Sequence, residues 1–342
     1  MGDWRDRLRG DPLPWLLDET NHAVRHLAMR QLLDRPADDP EVVAARDAAT
    51  RADPIAAILA AQDPAGWWEK PGHGYGPKYR GTTWSLIFLD QLGADPDEPR
   101  VRAACAYVLA HTQAPTGGFG CSAALSEKPP PPGLVLHCLT GNLLRALIGF
   151  GWLDDERVGR AIAWQATAIT GEGEPHWNAA TPGPGFRCGA NDGLPCGWGA
   201  AKAVLALARI PPERRSPAVE RALDTSVDFL LSRDPAVADY PMGYGNTKPN
   251  GSWFRLGFPS GYVADVLQVL EALVEAGAGG DPRLANAVDW LLAQQDAHGR
   301  WANRYPYTDK MWVDIDAPGA PSRWVTLRAC RVLRGIELAA AR

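Results

Sequence analysis

The chain of 342 residues is 46% hydrophobic and carries a formal net charge of −5, enough to bury a sizeable core and without a basic stripe for nucleic acid. No stretch approaches about 18 uninterrupted apolar residues, which excludes a helical membrane span and leaves only peripheral membrane contact open. Residues 1–14 are charged and hold no apolar run of signal-peptide character, and six cysteines without an export signal suit reduced thiols, so the sequence predicts a cytoplasmic protein.

Fourteen tryptophans and 65 glycines and prolines (35 and 30) need a common explanation, and a repeat supplies one. Segments beginning at Asn21, Tyr79, His137, Cys196, Phe258 and Pro321 each open with small, polar or aromatic residues and continue in a helical pattern. Their starts lie 58 to 63 residues apart. Between them runs a second class of helix, announced by Asp39-Pro40, Ser216-Pro217 and Asp281-Pro282. There a capping side chain satisfies free N–H groups and proline pre-sets the first helical φ. Apolar faces follow at Val219, Leu223, Val227 and Leu230, and at Leu284, Val288 and Leu291. In the fifth segment, Val263, Val266, Leu267, Leu270 and Val274 share one helical face.

Three of these second-class helices run into one motif, Q-x3-G-x-W/F: Gln62 to Trp68, Gln113 to Phe119 and Gln295 to Trp301. Glycine turns the chain at a helix C-terminus, the aromatic packs beside the turn, and the glutamine amide can bridge neighbouring loops. Looser versions run from Gln165 to Trp177 and around Asp234 to Tyr244.

These repeats resemble the QW motifs of the squalene–hopene cyclase and protein prenyltransferase β-subunit superfamily. The resemblance covers nearly the whole chain and implies one all-α (α/α)6 toroid, with the first helix class inside and the second outside. The segments Cys138 to Asn142, Met311 to Ile315 and Ser322 to Arg328 look like a group of bacterial stand-alone prenyltransferase or squalene-cyclase repeat proteins. The family's D-x-D-D and D-D-x-x-D motifs are absent: Asp38-Asp39 and Asp154-Asp155 lack the third aspartate. Asp192 and Cys196 only loosely resemble the zinc-binding Asp-x-Cys pair of the prenyltransferases.

Three constellations can carry chemistry. Cys121, Cys138, Cys188 and Cys196 fall at or near inner-helix starts of adjacent repeats, where a ring would gather them. Four thiols suit zinc or an iron–sulfur cluster, with His137 and His176 as spare ligands; they equally suit small buried apolar positions. Asp314 and Asp316 alternate on one side of the loop before the last inner helix, where a desolvated carboxyl would act as a general acid. Arginine-paired structural acids are the competing role, and for Asp265 pairing is the expected one. Finally, Tyr79, Arg80, Trp84, Trp198, Tyr262, Asp265 and Trp324 stand on or beside inner helices, Asn142 lies within one, and Trp253, Arg255, Trp312 and Arg323 lie in or beside feeding loops. Aromatics around a chamber suit a hydrocarbon or carbocation, and arginines at its mouth suit a phosphate or carboxylate.

Residues 69–78, 122–136 and 239–257 read as lid loops, with His73 exposed to solvent. The leading expectation is a terpenoid-cyclase-like or prenyl-substrate enzyme holding a small hydrophobic, isoprenoid-like molecule in a central aromatic-lined cavity. The alternatives are a four-cysteine metalloprotein and a non-catalytic binding or scaffold ring.

Overall fold

The computed structural model describes residues 3–172, 184–237, 240 and 248–341. The expected turn from Gln165 to Trp177, most of that around Asp234 to Tyr244, and His176 lie wholly or partly outside these residues. In chain order the helices are α1 (Leu13–Leu16), α2 (His22–Gln31), α3 (Pro40–Thr50), α4 (Ile55–Ala60), α5 (Thr82–Gln91), α6 (Pro99–His111) and α7 (His137–Gly149). There follow α8 (Glu156–Thr170), α9 (Gly197–Leu207), α10 (Pro217–Leu231), α11 (Val266–Glu275), α12 (Ala285–Ala293) and α13 (Arg323–Ala340). No β-strand occurs among the described residues beyond isolated bridges.

The helices form an (α/α)6 ring. α5, α7, α9, α11 and α13 pack in succession and α13 packs on α2. The circle closes where Leu27 of α2 rests against Gly93, just past α5. α3, α6, α8, α10 and α12 cover α2, α5, α7, α9 and α11 from outside. The sixth outer position is filled by the N-terminal segment: the turn Trp4–Arg7 and α1 pack on α13. Burial follows this arrangement. Apart from Trp198, every residue of α9 is buried, whereas outer α8 and α10 bury one stripe each.

The expected caps form. Asp39 and Ser216 cap α3 and α10 ahead of proline, and Asp281 caps the short turn leading into α12. The three glutamine turns share one geometry. Gln62 donates its amide to the Arg100 carbonyl (2.9 Å), Gln113 to Arg157 (2.7 Å) and Gln295 to Arg7 (3.4 Å). Arg100 and Arg157 lie at the start of the next outer helix and Arg7 at the end of the N-terminal turn, so every glutamine ties one repeat to its neighbour. Gly117 sits at φ +103, and a Cβ there would come within 2.6 Å of the Arg160 carbonyl oxygen, so only glycine fits the turn. The aromatics Trp68, Phe119 and Trp301 are fully enclosed, and their backbone N–H groups are donated to Thr82, Thr140 and Thr326 (3.0 ± 0.1 Å) on the following inner helix. The motif thereby sets where each inner helix begins.

The fifth repeat departs from the expected pattern. Its helix starts at Val266, capped by Asp265, rather than near Phe258. Pro259 supplies no N–H, and Gly257 and Gly261 disfavour helix, so residues 256–265 stay irregular.

Candidate functional site

That irregular segment occupies the axis of the ring. Ser260 exchanges two hydrogen bonds with Gln91 of α5 (2.7 and 2.8 Å), and the Gly261 carbonyl accepts from Asn142 of α7 (2.9 Å). The Val263 carbonyl accepts from Lys202 of α9 (2.8 Å), the Gly257 carbonyl from Arg328 of α13 (2.6 Å), and Phe258 stacks on Trp324 at 4.6 Å. Contact with four inner helices besides its own puts the segment on the ring axis. The axis of the expected central chamber is therefore occupied. Asn142 and Trp324, expected in the chamber lining, hold this segment in place.

On the rim where the inner helices begin, aromatic rings gather around Trp84, which is enclosed and donates its indole N–H to the Tyr75 carbonyl (2.7 Å). Tyr75, Tyr79 and Tyr262 lie 5.2, 5.3 and 6.2 Å from its ring, and Trp198 lies 6.0 Å from Tyr262. These four are half-buried, so the cluster presents apolar surface outward. Tyr79 adopts φ +71, a costly backbone for an aromatic residue, and stacks on Tyr307 at 4.2 Å. Burial, then its hydrogen bond with Tyr262, raises the Tyr79 hydroxyl, and burial raises Tyr75 and Tyr307, so all three are neutral at pH 7. The indole N–H of Trp198 is buried and has no hydrogen-bond partner among the described residues.

Other expected lining residues are engaged elsewhere. Trp253 is fully enclosed, donating to the Pro235 carbonyl (2.8 Å), and Arg255 lies exposed over Tyr305. Arg323 faces the N-terminal segment through Trp15 and Asp18. Arg80 pairs with Glu69 (2.9 Å) and covers Trp312, whose indole reaches the Arg80 carbonyl and the Ser85 hydroxyl. His73, expected to be solvated, is buried between the Ser122 hydroxyl (2.7 Å) and the Lys128 carbonyl (2.6 Å). It clasps loop 69–78 to loop 122–136 because both ring nitrogens find partners there.

The thiols are neighbours, but unequal ones. Residues 186–196 form a short hairpin in which the N–H of Cys188 reaches the Leu194 carbonyl and that of Cys196 reaches Phe186. Cys196 caps α9 and hydrogen-bonds Cys188. That bond, reinforced by the Ala190 and Asn191 N–H groups against burial, brings Cys188 down to about 6. The same bond and burial push Cys196 well up; burial pushes Cys138 up to about 12 and raises Cys121. Among the described residues no three His, Cys, Asp or Glu side chains are arranged to hold one ion. The hairpin pairs Cys188 with Cys196, and Cys138 and Cys121 lie close enough for each to feel the charge of Cys188.

The two loop acids also differ. Asp314 is exposed and accepts the Asp309 N–H (2.9 Å). Asp316 turns inward to the Ser322 hydroxyl (2.7 Å) and Asn303 amide (3.0 Å), and burial raises its carboxyl despite those donors. Both border a tight crevice beside Tyr307 and Phe258. Asp265 is a buried cap, accepting the Gln268 and Gly257 N–H groups (2.8 and 2.9 Å).

Sequence reasoning missed Lys202, a lone charge in the otherwise apolar helix α9. It is 1% exposed, its ammonium bonded to Val263 and Gln268, and burial lowers it to about 7. Nearby, burial works against ionisation of Glu271, yet Arg328 and Arg331 hold it down to about 2.

No protein-family model matches this chain, and no curated protein matches it either. Solved structures do resemble it. A protein from Actinoplanes is similar at 17% identity and TM-score 0.42, over 93% of this chain and 90% of that one. The type II terpene cyclase MstE from Scytonema is similar at 16% identity and TM-score 0.31, over 84% and 96%. A variant of that cyclase in complex with geranylgeranyl dihydroxybenzoate is similar at 16% and 0.31, over 94% and 99%.

Proposed function

We propose that this chain binds a small hydrophobic molecule of isoprenoid type against the aromatic rim, and acts on it as a terpenoid-cyclase-like or prenyl-substrate enzyme. The observation that carries this reading is the half-buried cluster of Tyr75, Tyr79, Trp198 and Tyr262 around Trp84. Such a surface gains from covering by hydrocarbon, and its ring faces attract a cationic intermediate. Neutral phenols and the unpartnered Trp198 N–H offer polar handles for a hydroxyl or carbonyl. In the enzymatic form of the reading, Asp316 is the proton donor, being the one of the two loop acids that is withheld from water and raised.

The occupied axis favours a second reading, a binding ring without catalysis, because a bound molecule lies on the rim rather than threading a deep chamber. Farnesol and geranylgeraniol titrated against intrinsic tryptophan fluorescence test the site itself. Saturable quenching that weakens at least tenfold in Tyr262→Ala is expected, and no quenching up to the solubility limit of either alcohol would overturn the binding site. Incubation with polyprenyl substrates then separates the two readings. Cyclised or transferred product, lost in Asp316→Asn, supports the enzyme; binding without turnover supports the ring.

A further inference from the structure

The opposite face of the ring opens into a polar vestibule of about 480 Å³, within the range of small-molecule sites. The later halves of α2, α5 and α7 and the start of α13 frame it, and Phe258 and Ser260 of the axial segment form part of its wall. Arg30, Arg46, Arg145, Arg209, Arg328 and Arg331 line it, against the carboxylates of Asp90 and Glu271.

These charges do not balance. Asp90 pairs with Arg209 (2.9 Å) and Arg145 (3.7 Å), and Glu271 pairs with Arg328 and Arg331. Outside the wall, Glu275 reaches Arg145 and Arg331 (3.7 and 3.4 Å), and Asp95 and Asp47 reach Arg46 (3.5 and 3.9 Å). Arg30 pairs with no carboxylate among the described residues and donates to the Arg35 carbonyl. The six guanidiniums therefore meet five carboxylates, an excess of one positive charge in a concave, partly desolvated space, with Arg30 left without a carboxylate. The field is felt by His26 in the same wall, which burial lowers first and the charges of Arg46 and Arg30 lower further. The Nε atoms of Arg46 and Arg145 are buried and have no hydrogen-bond partner among the described residues. The site is also shaped: a Cβ on Gly149 would come within 2.3 Å of the Arg209 guanidinium and 2.6 Å of Asp90, so the missing side chain lets that pair lie across the end of α7.

We propose that this vestibule binds a small phosphorylated anion of the diphosphate class, gripped by Arg30, Arg209 and Arg331 near its mouth. Guanidinium forks match phosphate oxygens in pairs, and an anion gives Arg30 a partner and offsets the excess that repulsion penalises. Diphosphate presents more acceptor oxygens than one guanidinium can satisfy, as several converging arginines require. Residues 256–265 stand between this vestibule and the aromatic rim, so the proposal does not rest on the hydrophobic site. The competing role for the arginines is to complement the C-termini of α2, α5 and α7, whose carbonyl ends carry partial negative charge.

Calorimetric titration of the full chain with inorganic diphosphate, and separately with citrate, distinguishes these. The expected result is diphosphate binding at least tenfold tighter than citrate, weakened at least tenfold by Arg30→Gln combined with Arg209→Gln while the ligand-free thermal midpoint shows the variant folded. Arg30→Gln alone, which strands no carboxylate, serves if the double variant does not fold. No heat at millimolar diphosphate, equal citrate affinity, or unchanged affinity in the variants would each overturn the proposal.

Discussion

Gln91 and Ser260, 169 residues apart, exchange a pair of hydrogen bonds that anchors the axial segment to the end of α5. Gln91→Ala removes both and leaves a buried N–H and carbonyl on Ser260 without partners, a cost of about 1–3 kcal/mol. Denaturant unfolding should show that loss. Hydrogen exchange should show faster exchange confined to residues 257–264, and unchanged protection there would mean the segment is held by its other contacts alone.

Gly117 offers a test of the repeat turn. Gly117→Ala forces a Cβ against the Arg160 carbonyl at φ +103, and should destabilise the chain by about 1–3 kcal/mol. Gly151→Ala, also at positive φ but with open space around it, isolates the backbone contribution. Equal midpoints for the two variants would show that contact with α8 is unimportant.

Lys202 and Glu271 predict opposite pH responses. Lys202 is lowered to about 7 by burial. Between pH 7 and its unfolded value the unfolded chain holds the extra proton, so this group makes stability rise with pH. Lys202→Met should flatten that rise but cost about 1–3 kcal/mol, since the buried Val263 carbonyl and Gln268 side chain lose their donor. Glu271 is held to about 2, so its contribution is present above the unfolded carboxylate value near 4.5 and is lost as pH falls towards 2, by roughly 3 kcal/mol. Glu271→Gln should abolish that acid loss and cost about 3–5 kcal/mol at neutral pH, because Arg328 and Arg331 remain buried without their partner. Chemical denaturation from pH 3 to 10 measures both.

Among the cysteines, Cys188 should be alkylated first. Its thiol is brought down to about 6 by the bond from Cys196, while burial raises Cys121, Cys138, Cys105 and Cys330. Mass spectrometry after brief iodoacetamide treatment should find modification at Cys188 at lower pH than at the other cysteines, with that pH moving up in Cys196→Ala. Preferential labelling of Cys138 would contradict the hairpin geometry.

The ring was legible in the sequence because its determinants are local. Gln113 and Phe119 sit at fixed distance around a glycine, and Ser216-Pro217 marks a helix start without reference to anything distant. The axial segment was not, since nothing near Ser260 announces a partner at Gln91. A helical face running from Val263 to Val274 even suggested a longer helix. The aromatic rim was half legible: position along the chain picked out Tyr79, Trp84 and Tyr262, yet could not tell them from Trp253, whose indole finds the Pro235 carbonyl. The thiols illustrate the same limit. A circle brings Cys188 and Cys138 into one neighbourhood, but only the hairpin of residues 186–196 decides that Cys188 pairs with Cys196. Lys202 was readable and overlooked, a single charge in a helix with no polar face to hold it.

The N-terminal segment supplies the sixth outer position, with Trp4 donating its N–H to Glu337 (2.6 Å) and Arg9 bonding Gln295. Without α13 the segment would lose one of the surfaces, α2 being another, that shelter its buried residues Trp4, Leu13 and Leu16. The ring is thus clasped by two stretches far apart in sequence, and its seam is closed only when both are in place.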